Sequence, residues 1–223
     1  MRRIIICGIL AGSLMVALII SGAPASSQIQ SNNMIEQRIE LHLNQGTLLQ
    51  ALSTLSVDKR VPIGFEPALG HKHEHNLNID ADNATLRDVL DRIVQQEPGY
   101  RWEVRDSVIS IVPTKLKDDF VEKLLSTPIH RFDSPKVLGP SQIRDAIVDL
   151  PEVVALLKAN GITASRYGYF YRYPSLYTNS NVDLSISETD VRGILNTVVR
   201  ESEHKMWIVS RSGKNLTSLD IGF

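Results

Sequence analysis

Three histidines alternate with charged residues in the run His71-Lys72-His73-Glu74-His75. Alternate residues of a strand share one face, and three imidazoles on one face can bind zinc. The run nevertheless lies in a polar segment that begins at Pro67, contains a lysine, and offers no neighbouring group that would orient the imidazoles. We therefore expect a solvated loop here, and the sequence predicts no metal site.

Tyrosine recurs at every second position of one strand-like segment. The four tyrosines are Tyr167, Tyr169, Tyr171 and Tyr173. At that spacing the phenols lie on one face of a strand, with Arg166 and Arg172 on the other. Such a face fits a stacking platform for a sugar or a docking surface for a peptide, because tyrosine gives a large contact area at low entropic cost. The other interpretation is a strand whose rings pack beneath a helix, since tyrosine is a common strand residue.

Catalytic motifs are absent from the sequence, which holds no GxSxG, HExxH, CxxC or GxxxxGK. Three further histidines fall in separate elements: His42, His130 and His204. Asp80, Asp82 and Asp88 lack the loop spacing and the glycine of a calcium-binding hand, so capping and solvation explain them. We expect no catalytic residue, no metal and no cofactor, and we predict that the chain is not an enzyme.

The segment from Asn76 to Ile111 is predicted to form a strand, a helix and a two-stranded hairpin. Leu77 and Ile79 alternate with polar residues, which is typical of a half-buried strand. Apolar residues then recur at helical spacing: Leu86, Val89, Leu90, Ile93 and Val94. We expect the Asp82-Asn83 pair to cap this helix and Pro98-Gly99 to end it.

This pattern recurs along the chain. A shift of 105 positions brings Asn181 onto Asn76 and Trp207 onto Trp102, and it repeats the helical stripe at Val191, Ile194, Leu195, Val198 and Val199. A shift of 38 positions in the other direction places Thr47 on Thr85 and predicts a first helix from Leu48 to about Val57. The repeats indicate an α+β fold of tandem small strand–helix–strand units, with short mixed sheets and helices packed on one face. The repeated tryptophans are expected to pack in the core.

A short strand over residues 61–65 follows the first helix, and Pro62 indicates either an edge strand or a place in the first pair of the strand. The succession of TLLQALSTLS, VPIGFEPAL, LNIDADNATLRDVLDRIV and YRWEVRDSVISIVP resembles the secretin and TonB short N-terminal domain. The resemblance covers about residues 38–113, and Thr47-Leu48 and Thr85-Leu86 stand where that family starts its helices. It implies a periplasmic domain that docks onto other protein domains and does no chemistry. We expect a stand-alone version, without the barrel or secretin segment of that family.

The first 25 residues have the pattern of a secretory signal peptide. Arg2 and Arg3 precede an apolar run over residues 4–20, and Ala23-Pro24-Ala25 supplies the small residues of a cleavage site. The alternative is an uncleaved anchor in the inner membrane, since the run approaches spanning length. Cleavage would change the net charge from −1 to −3 and remove the only cysteine, Cys7. We expect a periplasmic protein with no membrane insertion after cleavage and, from its near-neutral charge, no nucleic-acid partner.

The expected organisation after the signal peptide is a flexible leader over residues 26–37 and the family-like domain over residues 38–113. A second α+β domain, a diverged copy of the first, is expected over residues 114–223, with a helical connector over residues 115–126. The predicted function is a protein–protein interaction module, an accessory or adapter for an envelope secretion, receptor or signalling complex. Its expected partner is a secretin-like, receptor or signalling protein of the envelope. The alternative is a periplasmic glycan- or peptide-binding protein that uses the four tyrosines.

Overall fold

The apolar stripes identified in the sequence form helices with one buried side. The computed structural model describes residues 33–70, 76–134, 139–165, 183–203 and 205–223. The helices are α1 (Leu48–Val57), α2 (Leu86–Gln96), α3 (Asp119–Leu125), α4 (Pro140–Val148), α5 (Pro151–Ala159) and α6 (Val191–Glu201). The bounds predicted for α1 are confirmed, and the five stripe residues of α6 are fully buried.

The strands are short. They are β1 (Arg38–Gly46), β2 (Ile63–Phe65), β3 (Leu77–Thr85), β4 (Tyr100–Arg105), β5 (Val108–Pro113), β6 (Pro128–Asp133), β7 (Thr163–Ala164), β8 (Ser185–Asp190), β9 (Met206–Ser212) and β10 (Ser218–Gly222). Six of them form one mixed sheet in the order β4-β5-β2-β9-β10-β7. Two antiparallel pairs, β1–β3 and β6–β8, form separate two-stranded sheets. The predicted α+β class is confirmed.

Nearly the same order of elements occurs twice, with two helices in the second copy where the first has one. We call β1 to β5 with α1 and α2 the first unit, and β6 to β10 with α4, α5 and α6 the second unit. In each unit a two-stranded sheet leads into a helix and then an antiparallel hairpin, whose last strand pairs in parallel with the short strand β2 or β7. Trp102 Nε1 donates to Asp91 Oδ1 at 2.8 Å, and Trp207 Nε1 donates to Asn196 Oδ1 at 2.9 Å. Each member of the second pair lies 105 positions after its counterpart, so the likeness extends to a single hydrogen bond.

The two units share their sheet. Strand β2 pairs in parallel with β9, with Ile63 opposite Met206. A Cβ at Gly64 would lie 2.3 Å from Trp207 Cζ2, so only a residue without a side chain allows the indole to lie this close. Arg192 forms a buried ion pair with Glu66 across the same junction. Backbone pairing therefore continues across the expected boundary between residues 113 and 114.

Each unit covers a different face of the six-stranded sheet. The helices of the first unit pack on a cluster that includes Ile63, Ile109 and Ile208. The helices of the second unit pack on the opposite side, with Val108 and Trp207. Since neighbouring residues of a strand point to opposite faces, β5 and β9 each contribute to both cores.

Two expectations are corrected, one on the cap of α2 and one on the position of β2 in the sheet. Thr85, and not the Asp82-Asn83 pair, caps α2: its Oγ1 accepts from the Asp88 N–H at 3.1 Å, and the Asp88 carboxylate accepts from the Thr85 N–H at 3.3 Å. The expected cap is wrong because β3 continues to Thr85 through a bulge at Asn83, whose φ is 49°. The edge interpretation of Pro62 is also wrong, since β2 lies between β5 and β9 and begins one residue later.

Specific residues define the start of the connector helix and the packing of the leader. Helix α3 starts at Asp119 because the Asp118 carboxylate accepts from the N–H groups of Phe120 and Val121 at 3.0 and 3.2 Å. Within the expected leader, Ile35 is 5% exposed and belongs to the core of the first unit. The described end of that segment therefore packs on the fold.

Candidate functional site

The residues selected from the sequence as ligand or partner contacts lie outside the described residues. This holds for Tyr167, Tyr169, Tyr171 and Tyr173 and for the histidine run over residues 71–75. Their expected roles stay predictions. The described residues instead draw attention to the β1–β3 sheet, which has an exposed outer face and two outer strand edges.

The outer edge of β3 is covered by side chains of α2. Gln96 accepts from the Asn78 N–H through Oε1 and donates to the Asn78 carbonyl through Nε2, both at 2.9 Å. Arg92 Nη1 donates to the Asp80 carbonyl at 2.8 Å. These side chains occupy three outward backbone groups of β3, at Asn78 and Asp80, and so hinder addition of a further strand there.

The outer edge of β1 differs from that of β3. His42 is paired with Asp80, whose carbonyl points away from β1, so the backbone groups of His42 also point outward. From the alternation of backbone groups along β1 we infer the same for Glu40 and for Asn44, which lies at the register shift between Leu43 and Gly46. Within the described ranges, no side chain donates to or accepts from the backbone of these three residues. The edge of β1 is therefore open over three outward-facing residues.

A shallow groove runs beside the start of this edge, between β1 and the end of α1. Its lining residues are Gln37, Arg38, Ile39, Glu40, Asp58, Lys59 and Asn83. Two cations and two anions line it, Arg38 and Lys59 with Glu40 and Asp58. Ile39 is 5% exposed and belongs to the core. The groove offers polar contacts to an extended chain and is too open to enclose a small molecule.

The outer face carries four polar side chains that converge. Glu40 and His42 lie two positions apart on β1, and Asp80 and Asp82 lie two positions apart on β3. His42 Nδ1 lies 2.7 Å from Asp80 Oδ1, and His42 Nε2 lies 3.0 Å from Glu40 Oε1 and 3.3 Å from Asp82 Oδ1. The hydrogen bond with Asp80, followed by that with Glu40, raises the pKa of His42 above its ordinary value of 6.5. We call these four residues the His42 cluster.

The chemistry of the His42 cluster is limited by its members. The imidazole is surrounded by carboxylates, and no hydroxyl or thiol in the described residues is hydrogen-bonded to it. A nucleophile activated by a base requires such a contact. Its imidazole and carboxylates can hold a proton or a cation.

The sequence contained a signal for this cluster. The Glu-x-His and Asp-x-Asp spacings each place two polar side chains on one face of a strand. Considered one strand at a time, His42 looked isolated and the aspartates looked like caps. Only the antiparallel register of β1 against β3, which includes the bulge at Asn83, brings them together.

Compared with known proteins, the chain matches no protein-family model, no curated protein and no solved structure. Among the described residues, none of the helices combines the length and the apolarity that crossing a membrane requires.

Proposed function

We propose that this chain is an exported protein–protein interaction module that binds an extended segment of an envelope protein along β1. The observation that carries the proposal is the contrast between the two edges of the β1–β3 sheet. Side chains from α2 cover β3, whereas the outward backbone groups of Glu40, His42 and Asn44 receive no hydrogen bond from the described residues. Backbone pairing at an open edge is a common way for one protein to hold a segment of another.

The groove beside β1 supports the proposal. A strand added to β1 would place every second side chain toward the groove, where Arg38 and Lys59 offer positive charge and Glu40 and Asp58 offer negative charge. Backbone pairing would supply most of the affinity, and the groove would supply selectivity.

The proposed cellular setting rests on the sequence. The signal-peptide pattern of residues 1–25 supports export to the periplasm, where an adapter of a secretion, receptor or signalling complex would work. The resemblance of residues 38–113 to the secretin and TonB short N-terminal domain supports the same setting. Fractionation of cells that express the full chain, followed by N-terminal sequencing, tests this part. We expect a periplasmic protein that begins at Ser26; an intact N-terminus in the inner membrane would favour the anchor.

A matched pair of variants tests the edge. Asn44→Pro removes one outward N–H, which a strand edge tolerates, whereas Asn44→Thr keeps the N–H and changes only the side chain. Pull-downs from envelope extract would compare both variants with the wild type, after circular dichroism has confirmed equal folding. We expect the partner to be retained by Asn44→Thr and lost by Asn44→Pro. Equal retention by both folded variants would contradict binding along β1.

The alternative function is binding of a glycan or peptide by the tyrosine-rich segment. It is supported by the spacing of Tyr167, Tyr169, Tyr171 and Tyr173 in the sequence. Under this alternative, the double change Tyr169→Ala and Tyr171→Ala abolishes binding to glycan or peptide arrays without unfolding the protein, and Asn44→Pro has no effect.

A further inference from the structure

The His42 cluster combines one nitrogen donor with two oxygen donors on a fixed support. Glu40 and His42 project from β1 and Asp82 projects from β3, so strand pairing fixes the origins of all three side chains. Their ligand atoms all lie within 4.8 Å of one another. Imidazole nitrogen together with carboxylate oxygen is a donor set that zinc and its neighbours among the divalent metals accept.

The distances within the cluster suit a tetrahedral ion. Zinc bonds to nitrogen and to carboxylate oxygen are about 2.1 Å long, so the ligand atoms around tetrahedral zinc lie about 3.4 Å apart. His42 Nε2 lies 3.0 Å from Glu40 Oε1 and 3.3 Å from Asp82 Oδ1. Small rotations of exposed side chains would bring all three ligand atoms to bonding distance, with water completing the coordination.

Asp80 gives the histidine the support that a ligand imidazole needs. Its Oδ1 lies 2.7 Å from His42 Nδ1, on the side of the ring away from Glu40 and Asp82. A carboxylate that accepts from Nδ1 fixes the ring orientation and leaves Nε2 to bind the metal. The histidine run at residues 71–75 shows no such partner in the sequence.

The second unit provides a natural comparison. Its two-stranded sheet also carries an exposed histidine, but His130 Nδ1 lies 3.6 Å from the single carboxylate of Glu188. Among the described residues, no further carboxylate forms an ion pair with His130. The converging donors are therefore specific to the first unit, although most elements of the two units correspond.

We propose that Glu40, His42 and Asp82 bind a zinc ion on the outer face of the β1–β3 sheet, with Asp80 as the positioning residue for His42. Calcium and magnesium fit less well, because they require six or more oxygen ligands and do not favour imidazole. The inference does not depend on the proposed partner, since the Asn44 variants that test the edge leave these four side chains unchanged.

Zinc titration of the full chain tests the proposal. His71→Gln, His73→Gln and His75→Gln are introduced together as the background, so that the other histidine run does not contribute. Isothermal titration calorimetry would measure affinity and stoichiometry, and histidine-selective NMR would follow the ring nitrogens of His42. We expect one zinc per chain and a large shift of the Nε2 resonance. Failure to bind at about 1 mM zinc would overturn the proposal.

Variants assign the roles. We expect His42→Ala to abolish binding and Asp80→Ala to weaken it about tenfold or more, with partial recovery in Asp80→Asn, whose amide oxygen still accepts from Nδ1. The matched controls His130→Ala and Glu188→Gln, on the equivalent sheet of the second unit, should bind zinc as the background does. Unchanged affinity in a folded His42→Ala chain, or zinc uptake without a change at Nε2, would overturn the assignment.

Discussion

Strands β4 and β9 occupy corresponding places in the two units, but β4 ends the six-stranded sheet and β9 lies inside it. At the positions where β9 has Met206, Ile208 and Ser210, β4 has Arg101, Glu103 and Arg105, which are joined by two ion pairs. Ile208 packs in the core of the first unit. Charge at the edge and apolar side chains at the junction thus separate two strands that are otherwise alike.

The helices that precede these strands, α2 and α6, also differ in whether corresponding residues face solvent or the junction. The Arg87 guanidinium lies 5.9 Å from the centre of the Trp102 ring and pairs with the exposed carboxylate of Glu36 at 3.2 Å. Its counterpart Arg192, 105 positions later, is buried and pairs with Glu66 and Glu122. One arginine covers the solvent side of a tryptophan, whereas the other connects the two units. The contribution of this arginine to the free energy of unfolding therefore depends on whether it is buried.

The largest effect is expected at this pair of arginines. Arg192→Ala leaves the Glu66 carboxylate buried without its cation, which should lower the free energy of unfolding by about 3–5 kcal/mol. Arg87→Ala, the matched control, removes an exposed pair and should cost less than about 1 kcal/mol. Urea unfolding measures both. Equal losses for the two variants would contradict the different roles of these arginines.

The next effect is expected at Gly64, where the indole of Trp207 rests on the backbone of β2. Gly64→Ala introduces a Cβ 2.3 Å from Trp207 Cζ2, and relief of that overlap should cost about 1–3 kcal/mol of unfolding free energy. Gly99→Ala is the control, because a Cβ there meets no atom within 4 Å. Thermal unfolding and the fluorescence of Trp207 would report the change. A Gly64→Ala chain as stable as Gly99→Ala would show that the junction is loosely packed.

Helix capping differs between the units as well. Thr85 and Asp88 cap α2 reciprocally, whereas in α6 Asp190 accepts from the Gly193 N–H at 2.7 Å and Gly193 has no side chain to reach back. Thr85→Ala should cost about 1 kcal/mol in urea unfolding, with Thr85→Ser close to wild type. A loss of the same size in both variants would exclude the hydroxyl as its cause.

The Asp88 cap also has a pH dependence. Hydrogen bonds from Thr85 lower the pKa of Asp88 below its usual value. The stabilisation from the ionised carboxylate is therefore complete above the unfolded-state pKa of about 4, and it is lost as the pH falls through the lower folded-state value. Wild type should unfold at higher temperature than Asp88→Asn at pH 6, and the difference should shrink below pH 4. A difference that is independent of pH would contradict this assignment.

The smallest effect on stability is expected at β4 itself. Burial alone would raise the pKa of Glu103, but Arg101 and Arg105 lower it below its usual value, as expected for a carboxylate held between two cations. The triple change Arg101→Met, Glu103→Ile and Arg105→Ser gives this edge the residues that β9 carries at the corresponding positions. We expect little change in unfolding free energy but concentration-dependent association, measured by light scattering. A variant that stays monomeric would show that these charges do not protect the edge.

The elements were predictable where their signal is local. The apolar stripes of α1, α2 and α6 follow from the period of 3.6 residues, and burial of Trp207 follows from its place in the repeat. The pairing of β2 with β9 was not predictable, because parallel pairing between distant segments leaves no local pattern. Gly64 and the buried Glu66 lie at the junction, and the role of each depends on a residue of the second unit.

The same limit applies to the candidate site. The open edge of β1 follows from side chains of α2 that reach β3 and not β1, which spacing along one strand does not reveal. The His42 cluster needs the register of β1 against β3 and the bulge at Asn83. Pairing and register belong to the tertiary structure, so the sequence indicated the types of residue but not their convergence.

The junction of β2 with β9 has a consequence for how the chain matures. Ile63 pairs with Met206, which is synthesised much later. Until then one side of β2 has no neighbouring strand, and the surface that Trp207 covers is exposed. The amino-terminal half is therefore prone to aggregation for as long as synthesis is incomplete. A fragment that stops after Pro113 should therefore require a chaperone to remain dispersed, while the finished polypeptide does not.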